Sequence, residues 1–256
     1  MSALIHSFQS EWLKRKRSLA SWLVMGGAFF TPAIITAARL VRDGRLAAEN
    51  GAPAYWESLW KSSWESMAIF LLPLGVILAT SLVTQLEYKN NSWKLLHTTP
   101  QRYLVIFLAK LAVILVMMGQ FLVLFNVGIY LSGVLPGLVF GVPYPQAPIP
   151  YAAFLADNGR YLVACLPIVA LQYLISLLFK NFLVPVGCGL ALWILSVAVL
   201  SWPYGYLIPY TYCSFTFLKH QPKFSQPVDL LPFALGYFLL FTGAAYALYV
   251  HQREKG

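Results

Sequence analysis

The chain has 256 residues, of which 59% are apolar and only 11% are charged, and its mean hydropathy is +0.67. Soluble domains carry about a quarter charged residues, so no water-soluble core could hide this much apolar surface, and soluble folds are excluded. The net charge of +9 fits membrane topology better than nucleic-acid binding, because the basic residues lie beside long apolar runs. The three cysteines are widely spaced and indicate neither a disulfide framework nor a zinc site.

Residues 1–18 predict a segment at the membrane interface. Large apolar residues recur there at helical spacing, as in a helix that lies on the inner membrane surface. These residues are Leu4, Ile5, Phe8 and Trp12. The segment is either an elbow helix that leads into the first span or a basic arm that sets topology. We expect no cleaved signal peptide, because the following apolar run is too long and lacks a small-x-small site.

Six nearly uncharged runs have the roughly 20 residues that a helix needs to cross a bilayer core of about 30 Å. Helices are expected because lipid offers no partner to an unpaired backbone group, and the runs are continuous rather than alternating. We therefore predict an all-α polytopic membrane protein with one domain over residues 1–256. Its six spans are predicted at about 19–38, 66–86, 103–131, 161–179, 182–202 and 230–250.

The distribution of lysine and arginine predicts the orientation of these spans. With a cytoplasmic N-terminus, eleven of the 18 basic residues fall on the cytoplasmic side and seven on the other side. Both termini are therefore predicted to be cytoplasmic, although Arg39, Arg42 and Arg45 oppose this assignment. The outer connections 39–65, 132–160 and 203–229 are either short re-entrant helices or plain loops.

The chain lacks the residue patterns of an enzyme. No ionisable residue lies at the centre of a predicted span, and HExxH and GxSxG are absent. None of the 17 glycines is followed by lysine, so the phosphate-binding GxxxxGK[ST] loop is absent too. We expect no catalytic residue, no metal site and no cofactor on this chain. The most central polar residues, Gln120, Asn126 and Gln172, either line a substrate path or join helices by hydrogen bonds.

The longest cytoplasmic connection, residues 87–102, carries signals for short helices. Ser92 can cap a helix over 93–97, and Thr99 before Pro100 forms a second cap. The first of these helices would present one tryptophan and two leucines, with lysines beside them, to the cytoplasm. Such an element either docks on a partner or lies on lipid.

The run EYKNNSWKLLHTTPQRYLVIFLAK, from Glu87 to Lys110, resembles the loop after the second helix in type-2 ATP-binding-cassette (ABC) exporter permeases. It is most similar to the bacitracin-type and lantibiotic-immunity permeases, in which Glu, Asn/Thr-Trp-Lys, Pro, Arg and Lys follow in this order. The opening SEWLKRKRS, residues 10–18, is similar to the start of the same family. The stretch HTTPQR departs from it, because members often have a small apolar residue before the proline.

This resemblance implies a permease subunit that takes its energy from a separate ATPase. It implies two copies of an ABC ATPase that bind ATP and Mg²⁺, and a second permease that is identical or paralogous. The implied ATPase-coupling residues are Glu87, Trp93, Lys94, Leu95, Leu96, Pro100 and Arg102. The implied activity is export of an amphipathic or hydrophobic substrate, such as a peptide antibiotic, across a bacterial cytoplasmic membrane.

Two other classes of function stay open. A non-transport anchor or assembly subunit of an envelope machine, of the gliding or secretion type, would share the helices and use the outer loops for partners. An intramembrane enzyme is disfavoured, since no reactive constellation is present.

Overall fold

The computed structural model describes residues 2–16, 18–89, 102–219, 221–224 and 228–254. Within these ranges it is all-helical and has no strands, which confirms the predicted fold class. The chain begins with α1 (Ser2–Arg15), followed by α2 (Leu19–Val41). A helix thus occupies the predicted N-terminal segment, while its location at the membrane interface stays a prediction.

The second predicted span belongs to a longer helix that begins well before residue 66. After α3 (Leu46–Asn50), the segments α4 (Tyr55–Ser66), a π-helical turn (Met67–Leu71) and α5 (Leu72–Lys89) follow without a break. Pro73 explains the irregular turn, because it lacks the N–H that would bond the Ile69 carbonyl four residues earlier. The predicted outer loop 39–65 is therefore largely helical.

Two long helices form the centre of the fold. They are α6 (Tyr103–Val139) and α7 (Tyr151–Leu178). The 37 residues of α6 extend for about 55 Å, nearly twice the hydrocarbon thickness of a bilayer. The predicted spans 103–131 and 161–179 cover only the most apolar parts of these helices, and the loop between them shrinks to residues 140–150.

The predicted fifth span is a shorter helix, α8 (Leu183–Ala198), whose 16 residues reach about 24 Å. After it the chain folds back into the bundle. Two short 3₁₀ turns lead to α9 (Tyr212–Leu218). Tyr210 in the second turn and Tyr212 and Cys213 in α9 are buried. This part of segment 203–229 is thus packed structure rather than a plain loop. The last helix is α10 (Leu230–Glu254).

Within the described part of the chain, five helical stretches are long and apolar enough to cross a membrane: Leu19–Val41, Tyr55–Leu86, Tyr103–Val139, Tyr151–Leu178 and Leu230–His251. This composition defines a multi-pass membrane protein, while a sixth crossing by α8 stays a prediction. The helix α6 packs against α1 and α2, α5 contacts α2, α7 and α8, and α7 packs against α10. The core of the bundle therefore lies around α5, α6 and α7.

Candidate functional site

The predicted coupling residues extend from the last turn of α5 to the residue before α6. Arg102 is exposed and has an extended backbone directly before the first residue of α6. Glu87 lies in α5, but its side chain is outside the described part of the structure. Residues 90–101 are also outside it, and they include Trp93, Lys94, Leu95, Leu96 and Pro100. The coupling role of all seven residues therefore stays a prediction.

A cavity of about 760 Å³ opens between α4, α6 and α7. Stacked aromatic pairs form part of its wall. The rings of Trp60 and Phe154 lie 4.0 Å apart at an interplanar angle of 5°. The rings of Trp56 and Tyr130 lie 5.7 Å apart at 8°. Such a wall offers apolar faces that also attract cations.

The polar residues of this cavity include an asparagine pair. Asn126 of α6 donates to Oδ1 of Asn158 on α7 at 3.0 Å, and Asn158 donates back to Oδ1 of Asn126 at 3.2 Å. Each amide also donates to the carbonyl one turn earlier, that of Leu122 at 2.7 Å and that of Phe154 at 2.8 Å. Both hydrogens of each amide are thus used, while each oxygen keeps an accepting lone pair. The pair is therefore suited to accept hydrogen bonds from a ligand.

Gln172 lies in a different environment, at a junction of four elements. It is fully buried, and its amide nitrogen donates to Oγ of Ser81 at 2.8 Å and to the carbonyl of Pro185 at 2.9 Å. Its oxygen accepts from the hydroxyl of Tyr210 at 2.9 Å. The residue thereby links α5, α7, α8 and the segment before α9.

Gln120 contacts the N-terminal helix. Its Oε1 accepts a hydrogen bond of 3.0 Å from Nη1 of Arg15, and burial lowers the pKa of that guanidinium. Nearby, Glu11 binds Lys14 and lies 3.9 Å from Nζ of buried Lys110. Among the described contacts, the three predicted path residues thus belong to three separate clusters, and the Asn126 cluster lines the cavity.

Sequence reasoning missed a buried cation at the end of α2. Arg39 donates to the hydroxyl of Tyr55, to Oδ1 of Asn50 at 2.9 Å and to two α6 carbonyls, those of Ser132 and Gly133, each at 3.0 Å. Its Nε lies 3.4 Å from the carboxylate of Glu49. No sequence signal identified this role, because an arginine directly after an apolar run is also typical of a loop.

Comparison with known protein families identifies the chain. The family described as ABC-2 family transporter protein matches residues 7–198, from within α1 to the end of α8. The chain therefore belongs to the ABC-2 transporter family and is a membrane permease of the ABC-2 type, a class of transport subunit that generally lacks nucleotide-binding motifs. Membership in this family implies association with an ABC ATPase. No curated protein matches the chain significantly.

Proposed function

We propose that this chain is the membrane subunit of an ATP-driven exporter that moves an amphipathic or hydrophobic substrate out of the cell. The family match over residues 7–198 carries the proposal. Two copies of a separate ATPase, holding ATP and Mg²⁺, would supply the energy, since the GxxxxGK[ST] loop is absent from the sequence. A second permease, identical or paralogous, would complete the pathway in a bacterial cytoplasmic membrane, with both termini in the cytoplasm.

In this proposal the segment 87–102 transmits force from the ATPase. It lies between α5 and α6 in the sequence, and these two helices contact α1, α2, α7 and α8 between them. A displacement of the segment would therefore reach most of the bundle, because helices move as rigid elements in packed structures. The apolar residues Trp93, Leu95 and Leu96 would seat in the ATPase, with Lys94 at the rim of the contact.

The lining of the cavity around Asn126 supports the proposal that the cargo is amphipathic and carries N–H groups. Its aromatic wall would take an apolar or cationic group, and the two amide oxygens would accept hydrogen bonds from the cargo. A cationic amphipathic peptide, such as a peptide antibiotic, has both features. Asn126 lies about 35 Å along α6 from Tyr103. Because the ATPase would bind the segment just before Tyr103, the cargo would bind in the cavity far from the ATPase.

Co-purification tests the association on which this function depends. The chain would be affinity-tagged and expressed together with the ABC ATPase encoded beside it. We expect a stable complex in which an amphipathic cationic peptide stimulates ATP hydrolysis. A chain that purifies without any ATPase would contradict the proposal. A complex whose rate of ATP hydrolysis does not change with any amphipathic peptide would favour the alternative that the chain is an anchoring subunit.

A further inference from the structure

Two of the three cysteines lie side by side in the core of the bundle. The Sγ atoms of Cys165 in α7 and Cys213 in α9 are 3.3 Å apart, in hydrogen-bond contact. Both side chains are buried, with exposed fractions of 1% and 0%. The two residues are 48 positions apart and become neighbours only because α9 packs on α7. Their spacing in the sequence therefore does not indicate a pair.

The distance between the two sulfurs is close to what a disulfide requires. The S–S bond is about 2.05 Å long, so the two atoms would approach by about 1.2 Å. Small rotations about the Cα–Cβ bonds provide such a movement while both helices keep their positions. The surroundings are apolar, since Tyr161, one turn before Cys165, is buried and its ring lies 3.7 Å from that of Trp64. A disulfide suits such surroundings because, unlike two thiols, it has no S–H donor to satisfy.

The helix α9 is short and needs an anchor. It has seven residues, and helices of this length are not stable alone. Its C-terminal end reaches α7 through Lys219, whose Nζ lies 3.5 Å from the carboxylate of Asp157. Both of these side chains are partly exposed, and such an ion pair contributes little stability. A covalent bond at Cys213, the second residue of α9, would hold the other end of the helix on α7.

The position of α9 also fits an oxidising environment. The helix belongs to segment 203–229, which lies outside the cytoplasm in the orientation proposed above, and disulfides persist in such compartments. We propose that Cys165 and Cys213 form a disulfide that holds α9 on α7. The step joins the two Sγ atoms and passes two electrons and two protons to the disulfide of a thiol oxidoreductase, which becomes a dithiol. Because both sulfurs are buried in the folded bundle, the bond forms before α9 completes its packing.

Counting free thiols in the full-length protein tests the bond directly. Cells are quenched with trichloroacetic acid, and the denatured protein is alkylated with N-ethylmaleimide before or after reduction. Intact mass then gives the number of adducts among the three cysteines. We expect one adduct without reduction, on Cys188, and three after it. The variant Cys188→Ser should give none and two, whereas Cys165→Ser should give two in both cases. Three adducts on the unaltered protein without reduction, or a bond that involves Cys188 or joins two chains, would overturn the proposal.

Thermal unfolding of the purified protein tests the anchoring role. A phosphine reductant should lower the unfolding temperature by about 5–10 °C. The variant Cys188→Ser should keep this sensitivity, while Cys165→Ser should unfold at one temperature with or without the reductant. Equal effects of the reductant on these two variants would contradict the anchoring role. Neither readout involves ATP hydrolysis, so a missing disulfide would leave the exporter proposal standing.

Discussion

The indole Nε1 of Trp193 donates a hydrogen bond of 3.0 Å to the carbonyl of Ile69. This is the carbonyl that Pro73 leaves without its helical donor, because proline has no N–H. The side chain of α8 thus satisfies a backbone group in the π-helical turn between α4 and α5. The contact ties the short helix α8 to the irregular part of a long one.

Replacing Trp193 with phenylalanine should therefore lower the free energy of unfolding by about 1 kcal/mol. The exposed Trp202, changed in the same way, serves as the control and should have almost no effect. In a Pro73→Ala background the backbone regains a donor for Ile69, so the cost of Trp193→Phe should shrink. Thermal unfolding in detergent measures the unaltered protein and these four variants. An equal loss of stability on Trp193→Phe in both backgrounds would contradict the explanation.

Close packing of α2 against α6 depends on Gly128. A Cβ atom at this position would lie 2.8 Å from Cγ of Pro32, whose ring cannot rotate away. Gly128→Ala should therefore destabilise the protein by about 1–3 kcal/mol. Gly119, on the same helix, has open space around it, so Gly119→Ala should be neutral or stabilising by up to about 1 kcal/mol. Similar unfolding temperatures for the two variants would show that the helices are not packed this closely.

The buried hydrogen bonds of Arg39 predict that replacing this residue strongly lowers the free energy of unfolding. Arg39→Met would leave two carbonyl oxygens of α6 and the amide oxygen of Asn50 without this donor. We expect a loss of about 3 kcal/mol in unfolding free energy, since buried acceptors without donors are expensive. Arg42→Met is the matched control, because Arg42 is exposed three residues later. A loss of the same size in the control would show that charge, rather than the network, stabilises this end of α2.

The asparagine pair predicts an effect on cargo recognition. Asn126→Leu removes one of the two amide acceptors and keeps a similar volume, so the concentration of amphipathic peptide needed for half-maximal stimulation of ATP hydrolysis should rise about tenfold. Basal hydrolysis by the complex should change little. Gln146→Leu makes a comparable substitution on an exposed loop and should leave peptide stimulation unchanged. If the two variants respond to the peptide alike, the cavity is not the cargo site.

The sequence predicted the helical class and the approximate positions of five of its six spans, because hydropathy detects continuous apolar runs. It underestimated the lengths of the helices where polar residues lie within them. Ser132 ended a predicted run, yet it is fully buried and hydrogen-bonds to the carbonyl of Ile129 within α6. Asn158 and Arg160 were placed in an outer connection, but both lie in α7. Composition alone does not distinguish such residues from loop residues.

The candidate site was predictable only in part. Asn126 was selected as a central polar residue, while its partner Asn158, 32 positions away, becomes adjacent only when α6 packs on α7. Gln172 was selected on the same ground, yet it belongs to a buried junction with Ser81 and Tyr210. Sequence position gives the depth of a residue along its helix, whereas its partners depend on which faces of the helices meet.

The central claim is that residues 87–102 receive force from a separate ATPase, and ATP hydrolysis by the assembled complex tests it most directly. Trp93→Asp and Leu96→Asp place a charge in the proposed docking contact, while Trp202→Asp and Leu207→Asp place the same charge at exposed positions in segment 203–229. We predict that the first pair abolishes the hydrolysis that the permease stimulates and that the second pair preserves it. Unchanged hydrolysis with aspartate at Trp93 and Leu96 would contradict the account.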